Sequence, residues 1–200
     1  MPILGYGVYQ VTRDECERCV SDALRAGYRH IDTAQIYFNE EEVGNAIQKS
    51  GISREELFIT TKVWVEHYGY DACRASVLES LRKLKTDCID LMLLHQPFSD
   101  YYGAWHALED LYEEGKLRAI GVSNFYPDRL VDICSFARIR PMVNQVETHP
   151  LNQQIEAKNG WTSTACRSRP GPPSARAGAA CSRMKCLPPS ARSTENPQPR

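Results

Sequence analysis

The sequence lacks a long apolar run, a secretion signal and a glycine-rich nucleotide-binding loop, and each absence argues against a class of protein. No stretch of about 18 apolar residues occurs, so no membrane span is expected. Residues 1–5 carry no basic side chain ahead of an apolar segment, which argues against a signal peptide. No GxGxxG or Walker-type loop follows the first predicted strand, which disfavours the dinucleotide-binding and P-loop folds.

Cysteine is present, but its spacing does not indicate a metal or disulfide site. Five of the eight cysteines lie scattered through residues 1–158, and Cys16 and Cys19, spaced as CxxC, fall on the apolar face of a predicted helix. Reduced thiols are therefore predicted, without a bound metal. Together with the missing signal peptide, they predict a cytoplasmic protein.

The composition changes sharply near residue 158. Residues 1–158 carry 17 Lys and Arg against 24 Asp and Glu, whereas residues 159–200 carry seven basic residues, one acid and seven of the twelve prolines. The second segment has no apolar periodicity, so we expect a disordered tail after the folded part. A basic arm that binds nucleic acid is the functional alternative for this tail; we expect no nucleic-acid partner.

Residues 1–158 alternate strand-like and helix-like segments. The predicted strands are 3–10, 28–33, 57–63, 88–95, 117–122 and 141–147. Gly27 is predicted to end the first helix, and Asn39, Pro127 and Asn152 to begin later ones. Apolar strands that alternate with amphipathic helices predict a parallel sheet covered by helices, although the pattern alone does not separate a barrel from a doubly wound sheet.

Polar residues collect at the carboxyl ends of the predicted strands. They are Asp32, Lys62, His95, Ser123, Asn124 and Gln145. In a (β/α)₈ barrel, this rim is where catalysis takes place. Taken singly, Asp32 could cap a turn, Lys62 could be a solvated end residue and His95 could be a satisfied core histidine. Their shared position predicts a single site.

Six segments carry a resemblance to a known family. They read LGYGVYQ, HIDTAQIYFNEEEVGNAI, LFITTKVW, IDLMLLHQP, GKLRAIGVSNF and VNQVETHP. In this order and spacing they resemble the bacterial-type aldo-keto reductase family across nearly all of residues 1–157. The resemblance implies an incomplete (β/α)₈ TIM barrel with about six of its eight βα units. It also implies an NADP(H) cofactor, a small carbonyl substrate reduced to an alcohol, and a monomer for the intact fold.

The resemblance further implies roles for individual residues. Asp32, Tyr37, Lys62 and His95 would form a catalytic tetrad in which Tyr37 donates a proton to the carbonyl oxygen. Lys62 would lower the pKa of Tyr37, Asp32 would hold Lys62 charged, and His95 would hydrogen-bond the substrate. The residues implied to contact the cofactor are Asp32, Ser123, Asn124 and Gln145. Tyr9 and Trp64 would line the substrate mouth.

The chain departs from the family pattern after Lys158, where the last two strands and the basic residues that hold the cofactor phosphates do not follow. Read one base out of frame, with one permitted choice of codons, this segment regains a helix, an apolar strand and a glycine-rich loop. Two steps are forced: Trp161 and Thr162 yield an Asp codon, and Met184 and Lys185 yield a Glu codon. Loss of one G after the Lys158 codon is therefore predicted. A non-catalytic truncated fragment or a reductase-fold interaction protein is the alternative function.

Overall fold

Strands and helices alternate along the chain in the computed structural model, which describes residues 1–155, 157 and 167–171, the last five by backbone alone. The strands are β1 (Tyr6–Gly7), β2 (His30–Asp32), β3 (Phe58–Val63), β4 (Leu91–Leu94), β5 (Ile120–Ser123), β6 (Val143–Glu147) and β7 (Arg167–Gly171). The helices are α1 (Arg13–Arg25), α2 (Glu40–Lys49), α3 (Tyr70–Leu84), α4 (Tyr101–Glu113) and α5 (Pro127–Phe136). Short 3₁₀ turns lie at Gln35–Tyr37, Arg54–Glu56 and Val65–His67.

The strands form one parallel sheet in the order β1 to β7. The register sets Lys62 beside Leu93 and Ser123 beside Gln145, so the polar strand ends lie at the same edge. Parallel neighbours joined through helices are the arrangement that the alternating pattern predicted.

A hydrogen bond across the sheet shows that the sheet curls. The Gln145 side-chain nitrogen donates to Asp32 Oδ2 at 2.8 Å, although β6 and β2 are separated by three intervening strands. In a flat sheet these strands would lie about 19 Å apart, which is too far for two short side chains to span. The sheet is therefore a curved part of a barrel, and the predicted incomplete (β/α)₈ architecture is confirmed.

The two faces of the sheet carry different residues. On β3 and β4, Ile59, Val63, Met92 and Leu94 belong to the apolar core that the strands share with the helices. Side chains alternate between the faces of a strand, so the positions between them, such as Lys62, point into the barrel. The apolar core thus holds the helices against the outer face, while polar residues gather at one end of the inner face.

Three predicted helix boundaries, at Gly27, Asn39 and Pro127, are confirmed, and the one at Asn152 is wrong. Gly27 follows α1 with φ 97°, a conformation that glycine adopts without strain, and Pro127 is the first residue of α5. Asn39 directly precedes α2, as predicted, but its side chain does not cap the helix, because its amide oxygen accepts from Thr33 Oγ1 at 2.8 Å and its nitrogen donates to the Val8 and Val11 carbonyls. Asn152 exchanges two backbone hydrogen bonds with His149, which holds it in a tight turn rather than at a helix start.

The prediction that nothing after residue 158 is ordered is wrong for Arg167–Gly171. This segment pairs in parallel with β6, with Val143 beside Arg167 and Glu147 beside Gly171. An open strand edge presents unpaired N–H and C=O groups, which an extended segment of the same chain can satisfy. The predicted frameshift position and the rest of the tail lie outside the described residues.

The cysteines and helices of the described residues bear on two further predictions. All five cysteines there are free thiols, of which Cys16 and Cys73 are buried. No three of the described His, Cys, Asp or Glu residues come together in a group that could hold a metal ion. In the same part of the chain, none of the helices combines the length and apolar character needed to cross a membrane.

Candidate active site

A cavity of about 400 Å³ opens at the carboxyl ends of the strands. It is lined by Tyr9, Ile36, Tyr37, Lys62, Trp64, His95, Gln96, Ser123, Asn124, Gln145, Val146 and Glu147. The structure thus brings all but one of the predicted site residues to one cavity. The exception is Asp32, which does not line the cavity but bonds to Lys62 and Gln145, which do.

Lys62 and Asp32 form a buried ion pair beneath the cavity. Lys62 is 1% exposed, and its ammonium lies 2.5 Å from Asp32 Oδ1 and 2.8 Å from the Thr33 carbonyl oxygen. The other Asp32 oxygen accepts from Gln145 at 2.8 Å. A buried charge is tolerated only when it is paired and hydrogen-bonded, as both charges are here. The pair therefore holds a positive charge at a fixed place below Tyr37.

Tyr37 lies over that charge, with its ring centroid 5.2 Å from the Lys62 ammonium nitrogen. Burial raises the pKa of the Tyr37 phenol well above its ordinary value, and the Asp32 carboxylate adds to the increase. The net change is therefore upward because burial is the dominant influence; the lowering effect that the resemblance implies for Lys62 stays a prediction. Tyr37 consequently stays protonated at neutral pH.

His95 faces Tyr37 from β4, with 5.9 Å between the two ring centroids. Burial, and then the nearby Lys62 ammonium, lower the pKa of His95 to about 3. The imidazole is therefore neutral at physiological pH. Its Nδ1 atom is buried without a hydrogen-bond partner in the described part of the chain, which leaves Nε2 as the ring nitrogen available to a molecule in the cavity.

Three polar side chains, on β5, just after β5 and on β6, form the other wall. Ser123 Oγ donates to the Gln145 carbonyl oxygen at 2.9 Å, and Asn124 Nδ2 bonds to the His95 carbonyl at 3.1 Å and to Ser123 Oγ at 3.2 Å. Asn124 adopts φ 62°, a left-handed conformation that Asn tolerates better than most residues. With both amide hydrogens of Asn124 engaged within the protein, its side-chain oxygen remains to accept a bond from a ligand.

Aromatic rings flank the tetrad on two sides. Tyr9 lies 5.2 Å from the Tyr37 ring, and Trp64 lies 5.2 Å from the His95 ring, measured between centroids. Both rings border the cavity, as predicted. Sequence reasoning missed Gln35, which is buried two residues before Tyr37 and binds the backbone of Trp64. Its only signal in the sequence was a polar residue inside a motif segment.

Comparison with known proteins identifies the family. The model of the Aldo/keto reductase family matches residues 4–160, so the chain belongs to that family. The chain is similar to the glyoxal reductase of Bacillus subtilis (strain 168), with 50% identity over 161 residues, which cover 80% of this chain and 58% of that protein. The matched part of the chain thus spans little more than half the length of this relative.

Solved structures agree with this assignment. An aldo/keto reductase from Brucella melitensis superposes with a TM-score of 0.84 at 43% identity, over 86% of this chain and 69% of that one. The Bombyx mori aldo-keto reductase in complex with NADP superposes with a TM-score of 0.81 at 35% identity, over 86% of this chain and 62% of that one.

Proposed function

We propose that this chain carries the catalytic half of an NADP(H)-dependent reductase that converts aldehydes or ketones to alcohols. The observation that supports this most strongly is the juxtaposition of Tyr37, Lys62, Asp32 and His95 at one cavity, with a protonated phenol directly above a buried ammonium. Besides a hydride, which the cofactor would supply, carbonyl reduction needs a proton for the oxygen and positive charge near the atom that gives it up, and this arrangement provides both.

The proton comes from Tyr37. When reduced nicotinamide is bound, it supplies the hydride to the carbonyl carbon. The carbonyl oxygen then gains negative charge and takes the Tyr37 hydroxyl proton, leaving a phenolate. The Lys62 ammonium stabilises that phenolate, and Asp32 keeps the ammonium in place. Because the pKa of Tyr37 is raised, the phenol stays protonated until the substrate carbonyl oxygen becomes basic enough to take the proton.

His95 orients the carbonyl. Because its pKa is lowered to about 3, His95 carries no charge at neutral pH and does not compete with Tyr37 as the proton source. A neutral imidazole can still donate one hydrogen bond. A bond from Nε2 to the carbonyl oxygen would direct that oxygen towards Tyr37.

The residues proposed to bind the nicotinamide lie on β5, just after β5 and on β6. A nicotinamide carboxamide has an N–H₂ donor and a C=O acceptor, and it needs the complement of each. The Asn124 side-chain oxygen can accept a hydrogen bond from the carboxamide N–H₂. The Gln145 side-chain nitrogen donates one hydrogen to Asp32, and it can donate its second hydrogen to the carboxamide oxygen. Ser123 would hold the Gln145 strand in register through the Gln145 carbonyl. These residues fit the predicted group.

Small aldehydes are the proposed substrates. The cavity volume of about 400 Å³ lies in the lower part of the usual range for small-molecule sites, and part of it must hold the nicotinamide ring. Glyoxal, which the name of the Bacillus subtilis relative indicates as the substrate of that protein, is the first compound to test. We place the activity in the cytoplasm and expect the intact fold to be a monomer.

The 200-residue polypeptide, expressed by itself, is proposed to have impaired activity. Within the described residues, β1 pairs only with β2, so the sheet does not close on itself. Large apolar side chains are also exposed there, among them Ile3, Leu151 and Ile155. An open strand edge and an uncovered apolar surface favour association with other chains. These observations also favour the second candidate function, a non-catalytic fragment or interaction protein.

A direct comparison of two polypeptides tests the proposal. One is the 200-residue chain, and the other, called here the extended protein, has the predicted lost base restored and continues through the last two strands. NADPH consumption with glyoxal should be undetectable for the first and robust for the second. Turnover by the 200-residue chain would disprove the impairment, and an inactive but folded extended protein would disprove the reductase assignment.

A further inference from the structure

The turn that carries Tyr37 has little structure of its own. Gln35–Tyr37 is a three-residue 3₁₀ helix, closed by a bond from Tyr37 N to the Ala34 carbonyl at 3.0 Å, and it is followed by Phe38 at φ 55°. Such short turns have poor hydrogen-bond geometry and gain little from cooperativity. Contacts from other segments must therefore fix the position of Tyr37.

The Gln35 side chain provides such contacts. It is 8% exposed, and its oxygen accepts from the Trp64 backbone N–H and from His67 Nδ1, both at 2.9 Å. Its nitrogen donates to the Ser76 carbonyl at 3.3 Å and to Ser80 Oγ at 3.1 Å. Both lone pairs and both hydrogens of the amide are used, so its orientation is determined by α3 on one side and by the loop after β3 on the other.

These bonds join the two sides of the cavity that face His95. The Tyr37 ring lies 5.9 Å from the His95 ring on one side, and the Trp64 ring lies 5.2 Å from it on the other. Gln35 is two residues from Tyr37 and bonds directly to the Trp64 backbone. A displacement of Gln35 would therefore move the proton donor and the aromatic wall together.

We propose that Gln35 is a positioning and specificity-determining residue, which holds Tyr37 and Trp64 at a fixed separation and so limits which carbonyl compounds reach the proton donor. The proposal rests on the proposed function for its consequence in turnover. Its structural part, the coupling of the two segments through one amide, can be tested independently of any activity.

The test uses Gln35→Met, which preserves the length of the side chain and removes all four hydrogen bonds. Gln48→Met is the matched control, because Gln48 is an exposed glutamine on α2. Ile133→Val, which trims the core on α5, controls for a general loss of stability. In the 200-residue chain, hydrogen exchange at the Trp64 amide should become at least about fivefold faster in Gln35→Met, since the Trp64 N–H loses its partly buried hydrogen bond to Gln35. Neither control should change it.

A spectroscopic measurement separates positioning from simple stabilisation. With ¹³C-labelled tyrosine, the Tyr37 resonance, assigned through Tyr37→Phe, should remain that of a neutral phenol at pH 10 in the wild type and in both controls. In Gln35→Met it should titrate closer to the ordinary phenol pKa of about 10, because a loosened turn exposes the ring. Unchanged exchange at Trp64, or an unchanged Tyr37 titration, would overturn the proposal.

Turnover by the extended protein tests the consequence for specificity. Gln35→Met should lower kcat for glyoxal at least about tenfold while the NADPH affinity stays the same, and should reduce the preference for glyoxal over a bulky aromatic aldehyde. An equal loss for both aldehydes would contradict the specificity role. If the extended wild type does not turn over, the proposed function fails, and the exchange and titration results still decide whether Gln35 positions Tyr37.

Discussion

Breaking the Lys62–Asp32 pair should destabilise the fold far more than breaking an exposed pair. At 2.5 Å and an effective dielectric of about 20, the attraction between the two charges is about 7 kcal/mol. Much of this offsets the cost of taking both ions out of water, so the net contribution of the pair is small. Removing one partner leaves the other charge buried, and that should cost about 3–5 kcal/mol in unfolding free energy.

Four variants measure this effect by urea unfolding. Lys62→Met and Asp32→Asn should each lose about 3–5 kcal/mol, whereas the double variant should regain a large part of the loss because no uncompensated charge remains. Asn at position 32 keeps an oxygen that can accept from Gln145. Arg82→Met is the control, since Arg82 pairs with Glu79 on the surface, and breaking that pair should change the unfolding free energy little. Single variants as stable as the wild type, or a double variant no better than the singles, would refute a buried pair.

Three further predictions concern other parts of the molecule. Because the pKa of His95 is lowered to about 3 in the folded chain, the unfolded state binds a proton first, so unfolding free energy should fall by up to about 1.4 kcal/mol per pH unit between pH 6.5 and 3; a His95→Asn variant with the same acid dependence would contradict this. Asn39→Ala should cost about 1–3 kcal/mol, because the Val8 and Val11 carbonyls lose the bonds that Asn39 donates, while Asn45→Ala on α2 should cost much less. Sequencing of the DNA around codon 158 should reveal one missing G, and an intact frame in independent isolates would exclude the frameshift.

The polar rim and the parallel sheet could be predicted because both follow from local patterns, whereas the barrel was implied by the resemblance to the family. Strand ends are marked by the change from apolar to polar residues, and parallel strands place those ends at one edge, so Lys62, His95 and Gln145 could be expected together. The Gln145 bond to Asp32 joins residues 113 positions apart. It could be expected only as part of a barrel, since a flat sheet would keep these residues apart.

Other features could not be predicted, because distant segments decide them. Asn39 was predicted to begin a helix from its neighbours, and it does, but its side chain bonds to Thr33 and to the Val8 and Val11 carbonyls instead of capping that helix. The role of Gln35 depends on partners 29 to 45 residues away. The pKa of Tyr37 depends on burial, and the resemblance to the family implied only the influence of Lys62. In each case the local sequence indicates a polar residue without indicating its partner.

The central claim is that Tyr37 gives its proton to the substrate carbonyl, and replacement of that hydroxyl tests it most directly. In the extended protein, Tyr37→Phe removes only the phenol oxygen and retains the ring contacts with Tyr9 and His95. Loss of a general acid lowers turnover by about 10²–10⁴-fold. The account predicts a fall of that size in kcat for glyoxal, with NADPH affinity unchanged. A Tyr37→Phe variant that reduces glyoxal within a few-fold of the wild-type rate would contradict it.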